Sequence, residues 1–338
     1  PPTVPHETSR STLPEAMLLA LLYILDARIV LVKEAGPISM AMFYYTYRNY
    51  YNIEYMKLPE VVFVKHCPDL APERKVFLEK HLKERVPIKD VRWVEDYNHD
   101  HIFVQWLNTK LNLPYGPKLT SNFVKTIMIM KQILEENIQS SLIIDDDSVF
   151  YRDWDLIFES IPDEIERIGY INMGTSPFFN YKPKLKEVYQ LPNNGGMEVF
   201  WTNTEFAHAF INNLNMEEAI DIVIHGMMRS AGKPLLNVPI AHQTSDIENN
   251  STLDHSTRKS SNWQAYVMNY TGVPKLKLDT LFDEFKQFEV RKKKVEDKFY
   301  ELYDKRVDIK NVKYILNSDE DHRVNIIDFE LIRDEVNI

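Results

Sequence analysis

One cysteine, Cys67, is all the chain contains. No internal disulfide can form, which fits a reducing compartment. Basic residues are not in excess either. Forty Lys and Arg against fifty Asp and Glu give a net charge of -10 and a pI near 5.5. That balance excludes a general nucleic-acid binder, which would carry a basic face, and leaves room for a local basic pocket. Long apolar runs are missing too. The most apolar stretch, "AMLLALLYILDARIVLV" from Ala16 to Val32, is broken by Asp26 and Arg28, and it lacks the uninterrupted length that spans a bilayer. It also lacks the basic region and small-residue cleavage site of a secretory leader. Repeats and low-complexity tracts are absent. These absences predict a soluble, cytoplasmic protein with no transmembrane segment and no nucleic-acid partner.

What is present is a chain of 338 residues with 44% apolar and 12% aromatic content, enough for a substantial core. Residues 1–55 differ in character from the rest of the chain and read as an N-terminal extension of unknown role. From Val61 onward, short β-branched runs alternate with amphipathic stretches. "VVFVKH", "VRWVEDY", "SSLIIDDD", "IGYINMG" and "GGMEVFWTN" read as strands. "APERKVFLEKHLKER" reads as a helix with Val76, Leu78 and Leu82 as its apolar positions. "TSNFVKTIMIMKQILEEN" reads as a helix capped by Thr120 or Ser121, with Phe123, Ile127, Met130 and Leu134 on one face. "DWDLIFESIP", "TEFAHAFINNL" and "MEEAIDIVIHGMMRSAG" complete the helices. The alternation predicts an α/β domain over residues 56–274 with a mostly parallel sheet flanked by helices. A charged, aromatic-striped helical appendage occupies residues 275–338.

The chemistry centres on "SSLIIDDDSVFYRDWD". Asp145, Asp146 and Asp147 stand where a buried strand ends, although Asp is depleted in strands. Ligands of α/β sheets sit at the carboxyl ends of strands. Mg²⁺ and Mn²⁺ take carboxylate oxygens, commonly one or two plus substrate phosphates. In an extended chain Asp145 and Asp147 would face one side and Asp146 the other. Three readings stand at this point. The triplet is a solvated acidic turn, a cation site, or the nucleophile motif of a haloacid-dehalogenase-type phosphatase. In the last, Asp145 would attack phosphorus and Asp147 would act as acid and base.

The flanks bear on that choice. "VVFVKHCPDLAPERKVFLEKHL" is an opening strand leading to a Pro-Glu-Arg helix, and the helix "LTSNFVKTIMIMKQILEEN" precedes the aspartates. "GGMEVFWTNTEFAHAFI", "AIDIVI" and "PIAHQTSDIE" come after them in order. Together they resemble glycosyltransferase family 25, enzymes of the GT-A type acting in lipopolysaccharide and collagen glycosylation. The resemblance spans roughly Val61 to Glu248. Asn122 stands where the family usually has His, and Asp145 where it has Glu. A looser whole-sequence likeness is to glycosyltransferases of large algal (chlorella) viruses, which would place the chain in a host cytoplasm.

The resemblance implies a GT-A fold and a metal-dependent, inverting transfer of xylose, galactose or glucose from a UDP-sugar to a hydroxyl of a glycan or glycoprotein. The cofactor implied is Mn²⁺ or Mg²⁺, held by Asp145 and Asp147 with His242 as a late-loop ligand and His255 as its substitute. The donor would meet Val64, Lys65, Arg74, Lys125, Asp145, Asp146, Gly195 and Gly196. The base that takes the acceptor proton is Asp221, Glu198 or Asp246, with Glu217 a further rival. Tyr97, Trp201 and Trp263 are candidates for stacking on acceptor rings. The other reading kept is a non-catalytic glycan-binding protein on the same scaffold.

Overall fold

The computed structural model describes residues 56–151, 154–159, 161, 163–174, 189–190, 197–243, 276–303 and 305–317. Among these, eight strands form one sheet: β1 (Val61–Lys65), β2 (Asp90–Val94), β3 (Ser140–Asp145), β4 (Ser148–Phe150), β5 (Tyr170–Gly174), β6 (Tyr189–Gln190), β7 (Val199–Asn203) and β8 (Leu236–Gln243). The order across the sheet is β2-β1-β3-β7-β5-β8-β4, with β6 also on β8. Around it lie the helices α1 (Pro72–Arg85), α2 (Ile102–Lys110), α3 (Pro117–Glu136), α4 (Trp154–Phe158), α5 (Thr204–Asn212), α6 (Ile220–Ser230), α7 (Leu278–Tyr303) and α8 (Val312–Asn317).

The sheet is mixed: its centre is mostly parallel, as expected, and antiparallel strands are added to it. β1 pairs in parallel with β2 and β3, and β5 with β8, whereas β7 runs antiparallel to both its neighbours, β3 and β5. β1, β2, β3, β5 and β8 therefore point one way with β7 inserted against them. A strand buried on both faces reads as a continuous apolar run whichever way it points, so "MEVFWTN" carried no sign of its direction.

Alternation sorts each strand's side chains onto two faces. Val61, Phe63, Ile143, Tyr170 and Phe200 join one core with α2, α3, α5, α6 and α7. Val62, Val64, Leu142, Ile144, Ile171, Val199 and Trp201 join a second core with α1 and α4. On α1, Leu78 and Leu82 are buried while Val76 and Phe77 are 73% and 54% exposed. Val76 lies two residues, about 200°, from Leu78 on a helix of 3.6 residues per turn, so it faces solvent, not the core as its apolar character suggested. The helix α3 starts four or five residues earlier than a cap at Thr120 or Ser121 would place it. Gly116 is the N-cap and Pro117 takes the first turn, where its missing N–H costs nothing. Thr120 and Ser121 are instead buried inside it; the Ser121 hydroxyl donates to the Tyr97 carbonyl at 2.6 Å. Asn137, in the left-handed region at φ 55°, ends the helix and aims the chain into β3.

The C-terminal helix α7 packs through an aromatic seam. Phe103 of α2 meets Phe282 and Phe285 at ring distances of 5.5 and 4.7 Å, and Trp106 meets Phe285 and Phe288 at 5.3 and 6.2 Å. Leu281, Phe288 and Val295 belong to the same core as the sheet.

Candidate functional site

Chain direction decides where functional side chains gather. β1 is followed by a crossover to β2 on one side, while β3, its other neighbour, feeds strands on the opposite side. The carboxyl ends of β1 and β3 thus flank a topological switch point, the crevice in which α/β sheets hold ligands. Lys65 and Asp145 end those two strands and are register partners. Their side chains form an ion pair, Lys65 Nζ to Asp145 Oδ1, at 2.8 Å, and Lys65 also donates to Asn122 Oδ1 at 3.0 Å.

The row continues across the sheet. Ile144 is paired with Val199, so Glu198 comes next beside Asp145, and the Asp145 N–H donates to the Glu198 carbonyl at 2.8 Å. Asn172 is paired with Phe200, which brings Gly174 beside Glu198 on the far side. Lys65, Asp145, Glu198 and Gly174 form one line over the sheet face that carries α3, α5 and α6. The line spans three strand spacings, about 14 Å. Glu198 is fully buried, and its carbonyl also accepts from the Ser148 hydroxyl at 3.0 Å. It bridges both ends of the aspartate turn.

The three aspartates have different partners. Asp145 sits in the row, with a fifth of its side chain accessible. Burial pushes its carboxyl up from the ordinary 3.8, and the Lys65 ammonium opposes that rise. Asp146 turns toward α1, where Oδ2 lies 2.7 Å from His66 Nδ1 and Oδ1 2.9 Å from Arg74. Burial alone would raise its carboxyl, but His66 and Arg74 outweigh burial and hold it below its usual value. Asp147 Oδ2 lies 3.7 Å from the same Arg74 nitrogen, and Oδ1 accepts from Gln243 Nε2 at 3.5 Å.

This differs from the simple alternation expected of an extended chain. β3 ends at Asp145 and the backbone turns through Asp146 and Asp147 into β4. The turn carries Asp147 to the Arg74 side, so Asp146 and Asp147 share a guanidinium and Asp145 stands apart with Lys65.

Other expectations shift for similar reasons. Val64 is wholly buried in the second core, so its side chain offers a ligand nothing. Lys125 is 1% exposed and donates to Asn98 Oδ1 at 2.8 Å, to the His66 carbonyl and toward Cys67 Sγ at 3.4 Å. Burial lowers its pKa, with Cys67 and Asp146 acting the other way. It fixes the loop after β1 rather than reaching a phosphate. His242 follows the alternation of β8 onto the second face, its ring 5.4 Å from Tyr151 and within electrostatic reach of His81. The next residue, Gln243, donates to Asp147. Trp201 is core, its indole N–H donating to Ser140 Oγ at 2.8 Å. Tyr97, at φ 61°, packs against His101 with ring centroids 4.9 Å apart and the rings tilted by 54°. Glu217 is exposed in the loop before α6. Asp221 opens α6, where a helix dipole favours a carboxylate. Asp246, Gly195, Gly196, His255 and Trp263 lie outside the described residues.

Beneath Asp221, on the row's face, His225 and Tyr170 are buried with ring centroids 6.5 Å apart. Neither His225 nitrogen nor the Tyr170 hydroxyl has a hydrogen-bond partner among the described residues. Burial pushes the His225 imidazole down to about 4 and the Tyr170 phenol well up; nearby Asp221 and Glu198 add to the latter.

The carboxylates of Asp145 and Asp147 are hard oxygen donors of the kind Mg²⁺ and Mn²⁺ take. Two such groups suffice when substrate phosphates supply the rest. Among the described residues no three His, Cys, Asp or Glu side chains converge as a metal-binding group, so Asp145, Asp147 and His242 do not together form one. Sequence reasoning missed His66 and Gln243, which hold Asp146 and Asp147. The signal for His66 was its place one residue beyond a strand that ends at the switch point. Also among the described residues, no helix is long and apolar enough to cross a membrane. Compared with protein-family models and with curated proteins, the chain matches none.

Proposed function

We propose that the protein is a metal-dependent, inverting glycosyltransferase that moves a sugar from a nucleoside diphosphate, UDP above all, to a hydroxyl of a glycan or glycoprotein. The observation that carries this reading is the row at the switch point. It separates a charged group, Lys65 with Asp145, from a second carboxylate, Glu198, one strand further on. Inverting transfer needs that division of labour. A leaving diphosphate must be neutralised on one side of the sugar, and the acceptor proton must be taken on the other.

Asp145 and Asp147 would hold the divalent cation, which supplies Lewis-acid neutralisation of the departing diphosphate. Lys65 and Arg74 lie against these carboxylates and place two further cationic groups beside the diphosphate position. His66, Arg74 and the Cys67 N–H fix Asp146, and through it the turn that presents its neighbours. Glu198 is the base. It is the carboxylate in line with Asp145. The first-turn position of Asp221 accounts for that residue without a catalytic role.

Titration calorimetry with UDP tests the reading. Binding should require Mn²⁺ or Mg²⁺ and should be lost in Asp147→Asn, with circular dichroism showing the variant folded. An absence of UDP binding by the folded wild-type protein with either metal would refute it.

A further inference from the structure

Glu198 reaches across to β5 and lies on Gly174. A β-carbon built on Gly174 would stand 2.0 Å from Glu198 Oε1, 2.1 Å from Cδ and 2.6 Å from Cγ, far inside contact distance. The backbone of Gly174 is itself pinned. Its N–H donates to Asn172 Oδ1 at 2.9 Å, and its carbonyl accepts from Asn237 Nδ2 at 3.0 Å. Both asparagines are fully buried. The β5–β8 register shifts between Asn172 and Gly174, as at a β-bulge that re-aims the end of a strand.

We infer that Gly174 is a positioning residue for Glu198. The missing side chain opens the slot in which the Glu198 carboxylate lies, and the Asn172 and Asn237 amides hold the floor of that slot in place. Gly174 has no positive φ, so conformational freedom does not explain the glycine; space does. Asn172 and Asn237 are costly choices at fully buried positions unless their hydrogen bonds are needed, and both spend one on the same glycine. The identification of the carboxylate as the base rests on the transferase reading, whereas its seating on Gly174 does not.

Two variants with two readouts test this. In Gly174→Ala the methyl group takes the space of the carboxylate. Glu198 is enclosed, so it can yield only by displacing its surroundings. The Tm should fall by roughly 5 °C, as for an overpacked site. Hydrolysis of UDP-glucose, UDP-galactose or UDP-xylose, with water as acceptor, should drop on the order of 10²-fold in kcat with little change in KM. Combining Gly174→Ala with Glu198→Asp removes one methylene where one methyl was added. The double variant should regain the lost Tm, while turnover stays low because the carboxylate is withdrawn. A merely structural glycine would not separate the two readouts in this way.

The inference is overturned if Gly174→Ala keeps wild-type Tm and turnover, or if Glu198→Asp adds its own loss instead of restoring stability. Should the wild-type protein neither bind UDP nor hydrolyse any of the three sugars, the transferase reading falls, and Glu198 as base falls with it. The stability coupling alone then decides the seating on Gly174.

Discussion

Replacing Lys65 by Met gives the most direct measure of how the switch point is held together. The ammonium is 2.8 Å from Asp145 and 3.0 Å from Asn122, and the lysine is only 5% exposed. Met keeps the apolar stem and removes the charge, leaving Asp145 without its cation. Breaking a buried ion pair from one side costs about 3–5 kcal/mol. Because a fifth of the Asp145 side chain still reaches water, the low end applies, about 3 kcal/mol.

The deficit should depend on pH, with a definite sign. Burial raises the Asp145 carboxyl above its ordinary 3.8 in the folded protein, so the folded state binds that proton more tightly than the unfolded one. The stability gained by protonation is fully present below 3.8 and is lost as pH rises through the folded-state value. Removing Lys65 raises that value further. In urea at pH 8, Lys65→Met should lower Cm by about 1 M, for an m-value of about 3 kcal/mol/M. Near pH 4 the difference from wild type should largely close. At pH 8 the double variant with Asp145→Asn should recover most of the loss. An equal deficit at pH 4 and pH 8, or no recovery in the double variant, would falsify the account of the pair.

Other perturbations probe the cores around the site. The His225 imidazole is lowered by burial from 6.5 to about 4, so the folded state resists its protonation. The stability it confers is complete above pH 6.5 and is lost as pH falls toward 4, a difference of about 3 kcal/mol. His225→Phe should flatten that part of the acid stability curve and cost little at pH 7, since neither ring nitrogen is hydrogen-bonded to a described residue. An unchanged slope would show that other groups carry the acid sensitivity. Phe288, 4% exposed and packed on Trp106 and Phe285, should cost about 3 kcal/mol when truncated to Ala. A loss below about 1 kcal/mol in urea melts would mean that α7 contributes little to the sheet's core.

The helix stripe Phe123, Ile127 and Met130, the strand "SSLIID" and its abrupt acidic end were legible because period and charge are local properties. So was the contrast between Asp146 and its neighbour Asp145, which needs only an extended strand up to residue 145. The partners of Asp147 were not legible. They depend on where the backbone turns and on which residues two other elements, α1 and β8, bring to that turn. The same limit hid the choice between His242 and Gln243, which a single step along β8 decides.

The chain's own order of residues determined alternating strands and helices, an apolar core on both sheet faces, and an acidic cluster at a strand end. Each follows from local pattern, namely continuous apolar runs, a spacing of 3.6 residues or an abrupt change of charge, which the chain carries within itself. Tertiary structure decided the rest. It reversed β7, set Lys65 beside Asp145 and Glu198 over Gly174, and buried Lys125 beneath the loop after β1. Those contacts join residues tens of positions apart, and their register follows from strand order and direction rather than from any local pattern.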